Sequence, residues 1–382
     1  MRVLIAPDSF GSTMTAVEAA TAIRDGWLSV APDDELVLAP LSDGGPGFVD
    51  VLATALGGEL VTLTVEGPLA SPVEATYLRV GGTGDGADTA YVESAQACGL
   101  HLLRPEERDP LRTTTYGVGQ LIAHALDQGA VRVVVGLGGS ATNDGGAGML
   151  AALGVAGLGP DGGRVAPGGA ALIDVDHLDP GRLHPRAAAV DLVAATDVIN
   201  PLLGFTGASA VYGPQKGATA ADTQRLDIAL THWADLLQRD LPGHLDVRKL
   251  PGAGAAGGMG AALLAIGATR ESGIGLVRDA VGLADQVASA ELVVTGEGMY
   301  DWQSRDGKVI SGVTQLSIEN GLPCVLIAGQ VVVGRRQTSS SGLDATYSLA
   351  DAAGSVQAAM DHAPEWTRKV AAAVARGWSV RR

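Results

Sequence analysis

Short apolar runs that end in an acid and a glycine-bearing loop recur along this chain, and that grammar constrains its fold more than any bulk property. Residues 3–6 (Val-Leu-Ile-Ala) are followed at once by Asp8 and Ser9. Thr15 and Glu18 stand at capping-box spacing and predict a helix from there to about Leu28. Residues 36–39 repeat the apolar run, Ser42-Asp43-Gly44-Gly45 repeats the polar exit, and Gly57-Gly58 terminates a second helix. Near the far end, residues 292–294 exit into Thr295-Gly296-Glu297-Gly298 and Asp301. A helix over 309–318 stops at Asn320-Gly321, a buried strand over 324–328 leads to Gly329, and a weaker strand over 345–349 precedes a helix from Pro364-Glu365 to near Gly377. Apolar strands alternating with helices predict a doubly wound α/β fold, in which ligand groups collect at strand carboxyl ends.

The 382 residues are long for one compact domain and suit two. Two ends that match in style but lie far apart predict one Rossmann- or flavodoxin-like domain, residues 1–65 plus 285–382. A second, inserted α/β domain, residues 66–284, interrupts it and carries the long glycine-rich loops. Alternating runs at 61–65, 73–80 and 90–93 lead into that insert, so its texture differs from the flanks.

Composition removes several classes. A net charge of −16 argues against nucleic-acid and anionic-membrane partners, which need a basic footprint. Cys98 and Cys324 have no metal-ligand spacing, and a reducing, cytoplasmic location fits them. The seven histidines form no HExxH pair. The uncharged stretch 252–269 holds six glycines and reads as a glycine-rich loop entering a helix, not a membrane span. Glycine, at 54 residues, is about twice its usual share. Only four lysines occur; Lys249 and Lys369 read as surface charges, whereas Lys216 and Lys308 sit in glycine-bearing loops. There a lysine is either a mobile point charge for phosphate or part of a surface turn, two readings of equal weight.

The strand 132–136 runs into Gly138-Gly-Ser-Ala-Thr-Asn-Asp-Gly-Gly-Ala-Gly148 and then a helix from about Met149. Glycines permit close backbone approach to an anion, Ser140 and Thr142 supply hydroxyls, and a helix N-terminus adds partial positive charge. A plain tight loop needs fewer polar groups, so an anion or nucleotide site is favoured. No GxxxxGK[ST] occurs. Asp197 ends the strand read over 191–197 and is either a Mg²⁺ ligand or base, or a turn cap. Residues 174–179 (Asp-Val-Asp-His-Leu-Asp) start like a calcium loop but read as a solvated turn. Glycine-rich cradles, two loop lysines and acids at strand ends (Asp8, Asp43, Asp197, Glu297 with Asp301) are the inventory of phosphoryl transfer, with the acceptor left open.

Several of these segments resemble the bacterial type I glycerate kinase family. They are Ala6-Pro-Asp-Ser-Phe10, Ser42-Asp-Gly-Gly45, Asp109-Pro-Leu with Thr113-Thr-Thr-Tyr-Gly117, and the 138–148 loop. Gly213-Pro-Gln-Lys-Gly-Ala218, the 252–260 loop, and Thr295-Gly-Glu-Gly298 with Asp301, Gln303 and Gly307-Lys308 complete the series, in order over nearly the whole chain. The resemblance implies ATP- and Mg²⁺-dependent phosphorylation of D-glycerate, usually to 2-phosphoglycerate, in a cleft between two α/β domains. It makes Asp8, Asp43 and Lys308 the catalytic candidates, with one of the two acids as base. Gly138, Gly139, Ser140, Thr142, Asn143, Asp144, Gly145, Gly146, Lys216, Gly257, Gly258 and Glu297 become the candidates for holding ATP, and Asp197 and Asp301 for Mg²⁺. Three positions depart from the family pattern: Gly11 stands where Lys is usual, Pro46 where Glu is usual, and Met299 where Arg is common. Each removes a charge, and losing one that touches phosphate or carboxylate costs about 2–5 kcal/mol unless Arg112 or Arg335-Arg336 compensates. Two alternatives follow: a kinase of another small hydroxy acid, or a catalytically silent metabolite-binding protein. Monomer or homodimer stays open.

Overall fold

The structure, a computed structural model, describes residues 1–11, 13–81, 88–301, 309–334, 338 and 340–379. Among them run the strands β1 Arg2–Pro7, β2 Glu35–Leu38, β3 Glu59–Glu66, β4 Pro72–Val80, β5 Thr89–Glu93, β6 Arg132–Gly136 and β7 Ala156–Leu158. After these come β8 His177–Asp179, β9 Asp191–Ala195, β10 Thr269–Glu271, β11 Leu292–Tyr300, β12 Cys324–Val331 and β13 Ala345–Ser348. The chain divides into two compact units, Met1–Asp43 with Asp50–Leu56 and Ile274–Arg382, and Gly44–Val49 with Gly57–Gly273. This division differs from the expected boundaries: β3 belongs to the second unit, and residue 285 falls inside the helix Leu283–Ala288 of the first.

In the first unit, five strands form a sheet in the order β13-β12-β11-β1-β2. All its pairings are parallel. Counted within the unit, the strand order is 2-1-3-4-5, the flavodoxin-like arrangement, whose switch point lies between β1 and β11. Val3, Ile5, Leu292, Val294, Val325 and Ile327 pack on one face with the helices Ala16–Leu28 and Ala363–Trp378. The first of these helices starts as its sequence predicts: Thr15 and Glu18 cap each other's backbone N–H groups. Those two helices touch at Gly26, where a Cβ would lie within 2.2 Å of the Arg368 carbonyl. Only glycine permits that approach.

The second unit holds a six-stranded sheet in the order β10-β9-β6-β5-β4-β3. Its first four strands are parallel, and β4 and β3 continue it as an antiparallel meander. Thus the alternating texture of residues 61–80 marks the half-exposed antiparallel edge, and the β-branched run at 132–136 marks the buried centre.

Three local expectations change. Thr295-Gly296-Glu297-Gly298 is not a loop beyond a strand: β11 continues to Tyr300, because its pairing with β12 persists to Tyr300↔Val331. Residues 177–179 are not a solvated turn but β8, which pairs antiparallel with β7. After β13, the short helices Leu349–Ala353 and Val356–Asp361 precede the C-terminal helix. Ser348 and Ser355 cap them, a local signal that their short length makes hard to read.

Candidate active site

The first unit gathers acids at its switch point. Asp8 follows β1 directly; its N–H donates to the Gly296 carbonyl at 2.8 Å, which locks the post-strand turn to β11. The Ser9 N–H donates to the Asp8 carboxylate at 2.6 Å. Burial pushes the Asp8 carboxyl up to about 8, and the charges of Asp43 and Glu297 add to the rise, while the Ser9 N–H opposes it. Three of the predicted site acids therefore share one electrostatic neighbourhood. The glycines of the Thr295-Gly-Glu-Gly298 segment serve chain packing: a Cβ on Gly296 would lie 3.1 Å from the Phe10 ring, and one on Gly298 would lie 2.9 Å from the Gly11 nitrogen.

Beside these acids lies a pocket of about 460 Å³. Asp8, Ser9, Glu297 and Gln330 contribute polar groups to its wall, and Phe10, Met299, Leu349, Val356 and Met360 contribute apolar ones. Gly11 and Met299, two of the three positions that depart from the family pattern, both line it. Gly11 has φ +58°, a conformation that strains any residue with a Cβ. Asp301 follows the end of β11 and is half-buried. Lys308, with Gln303, Gly307, Arg335 and Arg336, lies outside the described residues.

In the second unit the 138–148 loop is braced from within. Asp144 is fully buried and accepts the N–H groups of Thr115, Gly146 and Gly148 at 2.9, 3.1 and 3.1 Å, together with the Thr115 hydroxyl at 2.9 Å. Burial raises its pKa, and these four donors counter the rise. The Met149 N–H goes to the Thr115 hydroxyl at 2.9 Å, so the first turn of the helix Ala147–Ala152 is capped by the protein's own side chains. Gly145 donates its N–H to the Gly257 carbonyl at 3.0 Å and takes a hydrogen bond from the Trp233 indole at 2.9 Å. A Cβ on Gly257 would lie 2.0 Å from the Thr142 carbonyl, and one on Gly258 2.9 Å from Gly145, so the two glycine-rich segments need glycine to lie against each other. Gly138 donates to the Gly44 carbonyl at 3.0 Å, and Pro46 packs on Gly139.

Lys216 is not the mobile loop charge expected. It is 2% exposed, and its ammonium donates to the Ser140 hydroxyl at 3.0 Å and the Thr142 carbonyl at 2.7 Å. Burial pushes it down to about 8, against the pull of Cys98 and Asp144. Gly213 and Gly217 permit the tight turn that sends it inward; a Cβ on Gly217 would meet the Arg108 carbonyl at 2.2 Å. Asn143 is buried with its amide on the Ser209 hydroxyl at 3.0 Å. Asp197 lies two residues beyond β9 and accepts from the Ser272 hydroxyl at 2.6 Å. One acid escaped sequence reading: Glu93, at the end of β5, is buried and accepts the N–H groups of Gly47 and Val49 at 3.0 and 3.3 Å. Its place at a strand carboxyl end was the available signal.

Acids at the switch point of a flavodoxin-ordered sheet, and a braced glycine loop in a second α/β unit, belong to a fold class in which ligands bind at strand carboxyl ends. The glycerate kinase family profile matches residues 3–379. A glycerate kinase of Halalkalibacterium halodurans is 43% identical over 99% of this chain and 98% of its own length. The glycerate 2-kinase of Escherichia coli K12 is 41% identical over 99% of each. A crystal structure from Salmonella typhimurium LT2, provisionally named glycerate kinase 2, superposes with a TM-score of 0.78 at 43% identity, covering 99% of this chain and 98% of that one. The chain belongs to the glycerate kinase family and is a kinase. No helix among the described residues is long and apolar enough to cross a membrane.

Proposed function

We propose that this kinase transfers the γ-phosphoryl group of ATP to D-glycerate, giving 2-phosphoglycerate, with Asp8 as the base that accepts the acceptor hydroxyl's proton. The observation that carries this reading is the position of Asp8. It stands at the carboxyl end of β1 beside the switch point, and its carboxyl is held near 8 by burial and two neighbouring acids. A base in that range is matched to general-base work near neutral pH, whereas an ordinary carboxylate is too weak. Asp43 and Glu297 raise the basicity of Asp8 and are positioning residues here. The buried Lys216 holds the Ser140 hydroxyl and the Thr142 backbone of the 138–148 loop in place, and Gly138 and Gly139 are that loop's proposed substrate-facing residues. Lys308 remains the proposed neutralising charge for the transferred group.

Mg²⁺ would neutralise the phosphate charge of the nucleotide. Among the described residues no three His, Cys, Asp or Glu side chains converge to hold an ion by themselves. That fits magnesium carried by the nucleotide, which needs only one or two carboxylates besides phosphate oxygens and water. Asp301 and Asp197, half-buried at or just beyond strand ends, are the residues that would supply them.

ADP release that requires both D-glycerate and Mg·ATP, with phosphorus NMR placing the new phosphate on the 2-hydroxyl, tests the reading. One rival, motivated by the departures from the family pattern at Gly11, Pro46 and Met299, is another small hydroxy acid as acceptor. Erythronate or tartronate outcompeting D-glycerate in the same assay would replace the substrate, and absence of ADP release with every acceptor would replace the function.

A further inference from the structure

We infer that the 460 Å³ pocket of the first unit is the seat of the donor's purine nucleoside, and that the acceptor's carboxylate is held outside it, its hydroxyl alone reaching Asp8; this rests on the proposed kinase reading. The charge of the wall disfavours an anion. Asp8 and Glu297 are its ionisable groups, and no Lys, Arg or His lines it among the described residues. A carboxylate entering it would meet two acids and no cation. A nucleobase is neutral and meets no such barrier.

The remaining wall suits a flat aromatic body with hydrogen-bonding edges. Met299, Val356 and Met360 are 52%, 42% and 47% exposed, so three large apolar side chains surround one opening. Two of them are thioethers, whose polarisable sulfur packs well against aromatic rings. Phe10 and Leu349 close the deeper side. The Gln330 amide makes no hydrogen bond among the described residues and can pair with a base edge or a ribose hydroxyl, as can the Ser9 hydroxyl. The volume lies within the ordinary range for small-molecule sites. The pocket is also built at the carboxyl ends of β1, β11 and β12, where an open α/β sheet of this order binds its ligand.

The test uses Met299→Ala, Met360→Ala and the double variant, whose exposed positions leave the core intact. Steady-state kinetics with ATP and D-glycerate are paired with titration of a fluorescent ribose-labelled ADP in the absence of acceptor. The inference expects the double variant to raise the KM for ATP about tenfold and to weaken ADP binding by a similar factor. The KM for glycerate should stay within about twofold. A rise in the glycerate KM with the ATP KM unchanged overturns it, as does no change in either. If the wild type turns over no acceptor, the kinase reading fails by itself, and the ADP titration still decides the pocket: weaker binding by the double variant sustains the inference, and a wild type that binds no ADP overturns it.

Discussion

The two units treat the same kind of sequence in opposite ways. Both place acids and glycines at the carboxyl ends of parallel strands. In the first unit, Asp8 stands with Asp43 and Glu297 as electrostatic neighbours and lines a pocket. In the second, Asp144 is buried under four hydrogen bonds from its own chain, and Lys216 of the 213–217 turn is pinned to the 138–148 loop. The first arrangement stores unfavourable charge where chemistry can use it; the second satisfies its charges and gains a fixed shape. A motif rich in phosphate-binding residue types can therefore be a brace, and a plain Asp-Ser after a strand can be the group left facing a pocket.

That contrast breaks most easily at Asp8. Asp8→Asn should lower kcat/KM about 10²-fold or more, the range of a lost general base, without lowering the melting temperature. A loss below about threefold would remove the base assignment. Next in size, Asp144→Ala should destabilise the protein by about 3 kcal/mol, because it strands several buried donors. Urea denaturation showing less than about 1 kcal/mol would mean that the loop does not depend on its internal brace. Lys216→Met keeps the volume but leaves the Ser140 hydroxyl and the Thr142 carbonyl without their donor. A loss of about 1–3 kcal/mol is expected, with kcat falling more than either KM if the lysine positions the loop. An effect confined to the KM for ATP would instead make it a phosphate contact.

The pH dependence of stability should differ in sign between the two units. Asp8 is raised from 3.8 to about 8, so the folded state holds a proton that the unfolded chain has released across that window. Its contribution to stability is full below about 4 and is lost as pH rises through about 8. Asp8→Asn should therefore melt higher than wild type at pH 9 and equal it at pH 4. Lys216 is lowered from 10.5 to about 8, so between those values the unfolded chain binds the extra proton and stability rises with pH. Calorimetric melting of the wild type, Asp8→Asn and Lys216→Met from pH 4 to 10 separates the two slopes. If Asp8 is the base, log kcat/KM rises with unit slope and levels near pH 8, a limb that Asp8→Asn abolishes.

Much of the local structure was legible from the residues. The capping pair Thr15 and Glu18, the β-branched run at 132–136 and the Asn320-Gly321 stop each act over a few positions, so each predicts an element that the fold contains. The reading failed where a distant partner overrides a local signal. Gly296 and Gly298 look like loop residues, yet pairing with β12 holds them in a strand. Glu93 was read only as the end of a strand because the backbone N–H groups that donate to it, those of Gly47 and Val49, lie more than forty residues away. Lys216 looked mobile because nothing nearby in sequence says that Ser140, 76 positions earlier, receives it.

By itself, then, the sequence determined the alternation of strands and helices, the acids at the strand ends, the absence of a basic footprint, and the ordered motifs that carry the family resemblance. These follow from short-range sterics, capping and side-chain chemistry, which need no knowledge of the rest of the chain. Only the tertiary structure decided which polar groups face a pocket and which are satisfied internally. It did so because a charge in a folded protein is defined by what surrounds it, and the surroundings of Asp8, Asp144 and Lys216 come from segments far apart along the chain.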